Sequence, residues 1–160
     1  MGAENRPSRH EYYLDIARGV STRGTCLRRN YGAVIVKNDT IVSTGYTGAA
    51  RGCYNCIDRG VCERERLNIP SGQRYELCRS VHAEANAIIN GSKSDMENAT
   101  LYLFGTDYKT KKPLSVNDPC MMCRRMIINA GIKRVISYND QSIKIITVEK
   151  WVNDDMGYNY

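Results

Sequence analysis

Two segments decide the fold: residues 80–91, SVHAEANAIING, and residues 119–131, PCMMCRRMIINAG. Each carries potential metal ligands near its start, His82 in the first and Cys120 with Cys123 in the second. Each then continues with apolar residues at helical spacing until a glycine, which predicts a helix that ends there. The predicted helices run from Ser80 to about Asn90 and from Pro119 to about Ala130.

The ligand set predicts a catalytic metal. His82, Cys120 and Cys123 are nitrogen and sulfur ligands of the kind that zinc prefers, and three protein ligands leave a fourth position for water. Glu84 lies two residues from His82, so it can reach that water without ligating the metal. A zinc site that only stabilises the fold would fill the fourth position and has no need of Glu84. A redox role for Cys120 and Cys123 leaves the histidine and the glutamate unexplained.

The elements around these helices predict an α/β fold. Their order, α-β-β-α-β-α-β-β, indicates one domain in which a mixed five-stranded sheet lies between helices. The last strand is expected to be antiparallel, because only residues 139–141 connect it to the strand before. The remaining predicted elements are a helix capped by Ser8 and reaching Val20, and strands at 31–36, 40–46, 99–104, 134–138 and 143–148.

Composition limits the function classes. The chain has 160 residues, 42% hydrophobic and 25% charged, so disorder, collagen and coiled coil are excluded as starting hypotheses. It carries 23 Lys and Arg against 17 Asp and Glu, a formal net charge of +6. That excess favours an anionic ligand, although a basic surface without function is the alternative. No apolar run resembles a membrane span or a signal peptide, so we expect a cytoplasmic protein without a membrane partner.

Five of the seven cysteines lie outside the predicted catalytic centre. Residues 47–79 form a long, polar, cysteine-rich insertion with no evident secondary structure, a kind of loop that tends to be functional or cross-linked. Cys53 and Cys56 alone have the spacing of a zinc knuckle. A metal bound by such thiols would supply folding free energy to this loop. Buried or free thiols are the alternative.

The combination of His82-x-Glu84 with Pro119-Cys-x-x-Cys123 resembles the signature of zinc nucleobase deaminases. Over roughly residues 8–138 the chain resembles deoxycytidylate (dCMP) deaminases, including the competence-operon type of bacteria, within the cytidine deaminase-like superfamily. The other segments that carry the resemblance are Thr25–Arg28, Gly32–Val36, Gly45–Gly48, Asn55–Cys56, Ala85–Ala87 and Ile127–Val135.

This resemblance implies a three-layer α-β-α domain over residues 1–160 that hydrolyses dCMP to dUMP and ammonia. It implies that a zinc-bound hydroxide attacks C4 of cytosine while Glu84 shuttles protons. It also implies homo-oligomers, commonly hexamers, and gives no reason to expect DNA as a partner. Residues 139–160 are too few for the family's usual last helix and parallel strand, so they form a shortened C-terminal strand and tail.

The resemblance further implies a second, structural zinc in the insertion and a set of substrate contacts. Arg28 is the first choice for a phosphate contact, with an ordinary surface arginine as the alternative. Thr47 stands where the family usually has an asparagine that contacts the nucleotide, and Ala83 is a further candidate. The second zinc would be held by Cys26, Cys56, Cys62 and Cys78, with Cys53 as an alternate ligand.

Two other functions remain open at the level of the sequence. One is deamination of another base, such as free cytidine, a nucleoside antibiotic, guanine or tRNA adenosine. In the last case the basic segment Lys109–Lys112 would contact RNA phosphates, whereas a solvated charge run is the alternative. The other function is a non-catalytic binding protein held together by zinc.

Overall fold

A mixed five-stranded sheet forms the centre of the computed structural model, which describes residues 5–158. The strand order is β2-β1-β5-β6-β7, and only the β5–β6 pair is parallel. This confirms the mixed five-stranded sheet and the antiparallel last strand. The strands are β1 Arg29–Lys37, β2 Thr40–Tyr46, β3 Gly48–Ala49, β4 Ser80–Val81, β5 Thr100–Asp107, β6 Arg134–Asn139 and β7 Ser142–Thr147, with β3 and β4 paired in a separate two-stranded sheet.

Helices cover both faces of the central sheet. The helices are α1 Arg9–Ser21, α2 Cys56–Arg59, α3 Glu63–Arg66, α4 Ala83–Asn90, α5 Lys93–Met96, α6 Met121–Ala130 and α7 Val148–Asn153, and short 3₁₀ turns occupy Tyr75–Leu77 and Asp155–Gly157. None of the described helices is both long enough and apolar enough to cross a membrane.

The alternation of side chains along the strands creates two apolar layers. Val34 is paired with Tyr102, and Tyr102 with Ile136; these three side chains face α1 and pack with it. The residues that alternate with these three along their strands face the opposite side of the sheet and pack with α4, α6 and α7. The predicted three-layer α-β-α arrangement follows from this alternation.

Local signals account for the first helix and the first hairpin. Ser8 caps α1, as predicted, since its hydroxyl accepts from the Glu11 N–H and the Glu11 carboxylate accepts from the Ser8 N–H. Asn38 and Asp39 both have positive φ, 50° and 58°, which is the backbone of the tight turn that suits a two-residue hairpin.

The structure differs from the sequence predictions at two helix starts, at the ends of several strands and in the insertion. The helix expected to begin at Ser80 begins at Ala83, because Ser80 and Val81 pair with β3 instead. The helix expected to begin at Pro119 begins at Met121. Val148, expected at the end of the last strand, begins α7. The insertion, expected to lack regular structure, contains α2, α3 and a 3₁₀ turn. Residues 1–4 and 159–160 of the predicted domain and tail lie outside the described residues.

Candidate zinc centre and active site

The three predicted metal ligands meet at one point. Nδ1 of His82 lies 3.5 Å from Sγ of Cys120 and 3.4 Å from Sγ of Cys123. Zinc–ligand bonds of about 2.0–2.3 Å at tetrahedral angles place such atoms about 3.5 Å apart, so the donor set fits zinc. Within residues 5–158, this is the only group of three or more metal-ligating side chains whose ligand atoms lie within 4.8 Å of one another.

Two helix N-termini bring the ligands together. His82 is the N-cap of α4 and Cys120 is the N-cap of α6, both with extended backbone. Extended N-cap geometry turns each side chain toward the start of its helix, where the free N–H groups lie. The Cys120 sulfur accepts from the Cys123 N–H at 3.5 Å. The partial positive charge of a helix N-terminus also stabilises thiolates.

The segment before Cys120 is held from two sides. Asp118 forms an ion pair with Lys144 of β7, with Nζ–O distances of 2.8 and 2.9 Å. Arg124 of α6 donates from Nε to the Pro119 carbonyl at 3.0 Å. Its guanidinium also lies over the Trp151 ring of α7, 5.1 Å from the centroid. These contacts place the metal-binding turn relative to the sheet edge and to α7.

The electrostatics favour a cation at this centre. Hydrogen bonding by the Cys123 thiol, and by His82, lowers the pKa of Cys120 well below its ordinary value, against the opposing effect of burial. Donation to Cys120, together with burial, raises the pKa of Cys123. Burial tends to lower the pKa of His82, but its hydrogen bond to Cys120 and the nearby Glu84 raise it overall. Binding of a divalent cation requires both thiols to lose their protons, so metal binding at this centre releases protons.

Glu84 stands beside the ligands in the first turn of α4, where the sequence places it. Its side chain lines the same cavity as His82 and Cys120, and only 5% of the residue is exposed. Burial raises the pKa of this carboxyl, which the positive charge of His82 partly offsets. A carboxyl with a raised pKa next to a metal-bound water is suited to take up and release a proton.

A cavity of about 270 Å³ opens onto the ligands. Two of the predicted substrate contacts, Arg28 and Thr47, line it. The Thr47 hydroxyl accepts from the Tyr31 N–H at 3.0 Å, so part of its hydrogen-bonding capacity is used within the fold. The methyl group of Ala83 is fully buried in the core beneath α4. The contact of each with substrate stays a prediction.

Several cavity residues have no counterpart in the sequence predictions. Arg64 and Tyr75 come from the insertion, and Asp118 precedes the metal-binding turn. The Tyr75 ring meets the His82 ring edge to face, with centroids 4.9 Å apart. An arginine and a tyrosine in a polar loop carry no spacing signal, so only the fold of the insertion could reveal them.

The five cysteines outside the zinc centre divide into two groups. Burial raises the pKa of Cys56, and the neighbouring thiols of Cys26, Cys78 and Cys62 add to the shift, so these four sulfurs share one region. Three of the four also line the cavity. Cys53 is exposed instead.

Comparison with known proteins agrees with the fold and the ligand set. The family model described as "Cytidine and deoxycytidylate deaminase zinc-binding region" matches residues 7–139. The deoxycytidylate deaminase of Mycobacterium phage D29 is 36% identical over 138 residues, covering 82% of this chain and 95% of the relative. ComE operon protein 2 of Bacillus subtilis is 31% identical over 135 residues, covering 84% and 61%. The deoxycytidylate deaminase of Schizosaccharomyces pombe is 31% identical over 140 residues, 86% of this chain but 40% of that longer protein.

Solved structures give the same result. The dCMP deaminase of cyanophage S-TIM5, in complex with dCMP and dUMP, has a TM-score of 0.60 and 28% identity, with coverage of 84% of this chain and 83% of that one. A cytidine deaminase from Burkholderia pseudomallei has a TM-score of 0.55 at 18% identity and shares the fold. The fold and the centre thus define a zinc-dependent hydrolase. The chain belongs to the family of zinc-binding cytidine and deoxycytidylate deaminases.

Proposed function

We propose that the protein hydrolyses dCMP to dUMP and ammonia. The observation that carries this proposal is the zinc-type centre of His82, Cys120 and Cys123 with a buried glutamate beside it, inside a deaminase domain. The dCMP deaminases among its relatives, one of them solved with dCMP and dUMP, support this substrate. We also propose that the whole chain acts as a single deaminase domain.

The residues divide the chemistry between them. Zinc held by His82, Cys120 and Cys123 would lower the pKa of a bound water and so supply the nucleophile. Glu84 accepts a proton from the water and delivers it to the ring nitrogen of the base; it then accepts the proton of the new C4 hydroxyl and delivers it to the amino group, which leaves as ammonia. The enclosed position of Glu84 keeps these transfers away from bulk solvent, where the proton would be lost.

A screen for released ammonia tests the substrate. We expect turnover of dCMP by the purified full chain, and weaker turnover of CMP, dCTP, cytidine, deoxycytidine and guanine. Turnover of a nucleoside or of guanine without turnover of dCMP would overturn the substrate proposal. A lack of ammonia release from every compound, with zinc bound, would favour the non-catalytic alternative.

We further propose a second zinc in the insertion, bound by Cys26, Cys56, Cys62 and Cys78. The support is that these thiols share one region, and that a hydrophilic segment of this length gains folding free energy from a metal. No three of the four sulfurs lie within 4.8 Å of one another in the structure, so binding of the ion would draw them together. The exposed Cys53, predicted as an alternate ligand, is the weaker candidate.

Metal content tests the second site. We expect about two zinc ions per chain by elemental analysis, since each site binds one ion. Cys56→Ser should remove one of them, and the matched substitution Cys53→Ser should remove none. One zinc per wild-type chain would refute the second site. Loss of zinc in Cys53→Ser but not in Cys56→Ser would show that Cys53, rather than Cys56, is the ligand.

We propose that the protein forms a homo-oligomer, and the family resemblance favours a hexamer. The support in the structure is an apolar groove between α4 and α6, where Ile89 is 70% exposed beside Met122 and Met126. Burial of such a surface by a second copy would stabilise an assembly.

Sedimentation tests the assembly. We expect the wild type to be an oligomer, Ile89→Glu to dissociate it, and the control Ile145→Glu, on exposed β7, to leave it intact. A monomeric wild type would refute it.

A cytoplasmic location stays part of the proposal. Its support is that none of the seven cysteines, all of them among the described residues, forms a disulfide, which is usual where the surroundings are reducing. Fractionation of cells that express the full chain checks this.

A further inference from the structure

Arg64 is a buried cation without a carboxylate partner. The residue is 6% exposed, although arginine is rarely buried unless it is paired. Two donors at Nη2 are used by the carbonyls of Pro70 and Gln73, both at 2.8 Å. The buried Nε has no partner at all. In the described part of the chain, no carboxylate forms an ion pair with this guanidinium.

The position of Arg64 connects it to the zinc centre. Its side chain lines the cavity that contains His82 and Glu84. The guanidinium lies over the Tyr75 ring at 4.7 Å from the centroid, and that ring in turn meets His82 at 4.9 Å. One aromatic ring therefore separates the cation from the metal ligand.

The other two arginines of the cavity are less suited to hold a phosphate. Arg28, the first choice from the sequence, already forms an ion pair with Glu65, at 3.3 Å from Nε to Oε1. Arg29 is exposed, where water screens its charge. Burial makes the charge of Arg64 more effective, because little water competes with a bound anion.

We propose that Arg64 binds the 5′-phosphate of the nucleotide and makes the enzyme prefer the monophosphate to the nucleoside. This rests on the proposed function. The guanidinium offers a phosphate the N–H donors that the two carbonyls leave free, in a planar arrangement that suits a phosphate. The phosphate supplies an anion to a guanidinium that no described carboxylate pairs with. Tyr75 keeps the guanidinium in place by packing against its face.

The test compares Arg64→Gln with the matched control Arg66→Gln. Arg66 lies on the same short helix, but it is exposed and paired with Glu63. For Arg64→Gln we expect kcat/KM for dCMP to fall by about 10- to 100-fold, the usual effect of losing a charged hydrogen bond, with the value for deoxycytidine unchanged. Arg66→Gln should leave both substrates unaffected. An equal fall for both substrates, or no fall for dCMP, would refute the phosphate contact.

A second measurement covers the case in which Arg64→Gln does not fold, since the arginine also holds two loop carbonyls. Inorganic phosphate should inhibit the wild-type enzyme competitively with dCMP, and Arg64→Lys should weaken that inhibition while Arg66→Lys does not. Inhibition of equal strength in all three proteins would refute the inference. A wild type with no activity on dCMP would instead refute the proposed function, so the two failures are distinguishable.

Discussion

Glu84 shows how a single residue acquires its chemistry from its surroundings. Its carboxyl is buried at the N-terminus of α4, and desolvation raises its pKa. The neighbouring centre adds positive charge from His82, which opposes that shift. Opposing effects of this kind suit a carboxyl that takes up and releases a proton during a reaction.

Replacement of Glu84 by glutamine should separate catalysis from metal binding. We expect kcat to fall by about 10²- to 10⁴-fold, because the amide cannot carry the proton, with zinc still bound by the other three side chains. Ammonia release and elemental analysis measure the two effects. Glu149→Gln, on an exposed carboxylate of α7, serves as the control and should retain full activity. Activity of Glu84→Gln near that of the wild type would contradict this role.

At the scale of elements, the approach of α4 to β2 sets the position of the centre. Gly45 of β2 has no side chain, and a Cβ there would lie 2.3 Å from the Ala87 nitrogen and 2.5 Å from the Ala83 carbonyl oxygen. Both atoms belong to the backbone of α4 and cannot move aside alone. The helix that begins with His82 therefore depends on a glycine in the neighbouring strand.

The substitution Gly45→Ala should force α4 away from the sheet. We expect the free energy of unfolding to fall by about 1–3 kcal/mol, as for other overpacked sites. Zinc affinity should fall too, since α4 holds one ligand. Gly19→Ala is the control, because nothing lies within 4 Å of its added Cβ and alanine favours helix by about 1 kcal/mol. Denaturant unfolding with zinc titration measures both, and an unchanged Gly45→Ala protein would contradict the close contact.

The two ligand helices also show why their predicted starts were early. Apolar periodicity and a nearby proline favoured helix from Ser80 and from Pro119. In the structure, β4 takes Ser80 and Val81 into a two-stranded sheet, and Cys120 remains extended as an N-cap. Extended backbone at the ligand lets the side chain turn back toward the helix start.

At the scale of the whole molecule, the last helix completes the core over the active-site face. Trp151 of α7 is 7% exposed and packs in the apolar cluster that includes Leu101 and Ile127. Its ring also lies against the guanidinium of Arg124, which donates a hydrogen bond to the Pro119 carbonyl. The C-terminal segment, predicted as a shortened strand and tail, thus supports both the core and the metal-binding turn.

Removal of the Trp151 side chain should destabilise the whole domain. We expect Trp151→Ala to lower the free energy of unfolding by about 3–5 kcal/mol, because a large buried ring leaves a cavity. Val152→Ala, the next residue and 55% exposed, should change it by no more than about 0.5 kcal/mol. Equal transition midpoints in urea for the two variants would show that α7 is not part of the core.

The sequence by itself determined the catalytic ligand set and the architecture. His82, Glu84, Cys120 and Cys123 carry a spacing whose chemistry is specific, and alternation and helical periodicity are local properties, so the sheet and its main helices could be predicted. The hairpin turn at Asn38 and Asp39, the helix cap at Ser8 and the glycines that end the helices are also local, because each depends only on residues nearby in the chain.

Only the tertiary structure decided what surrounds that centre. Arg64 and Tyr75 reach the cavity because α3 and the 3₁₀ turn fold the insertion back onto the zinc ligands, and Trp151 reaches the core because α7 follows the last strand. These contacts join residues that are distant in the chain. They depend on packing between elements, which no local pattern encodes.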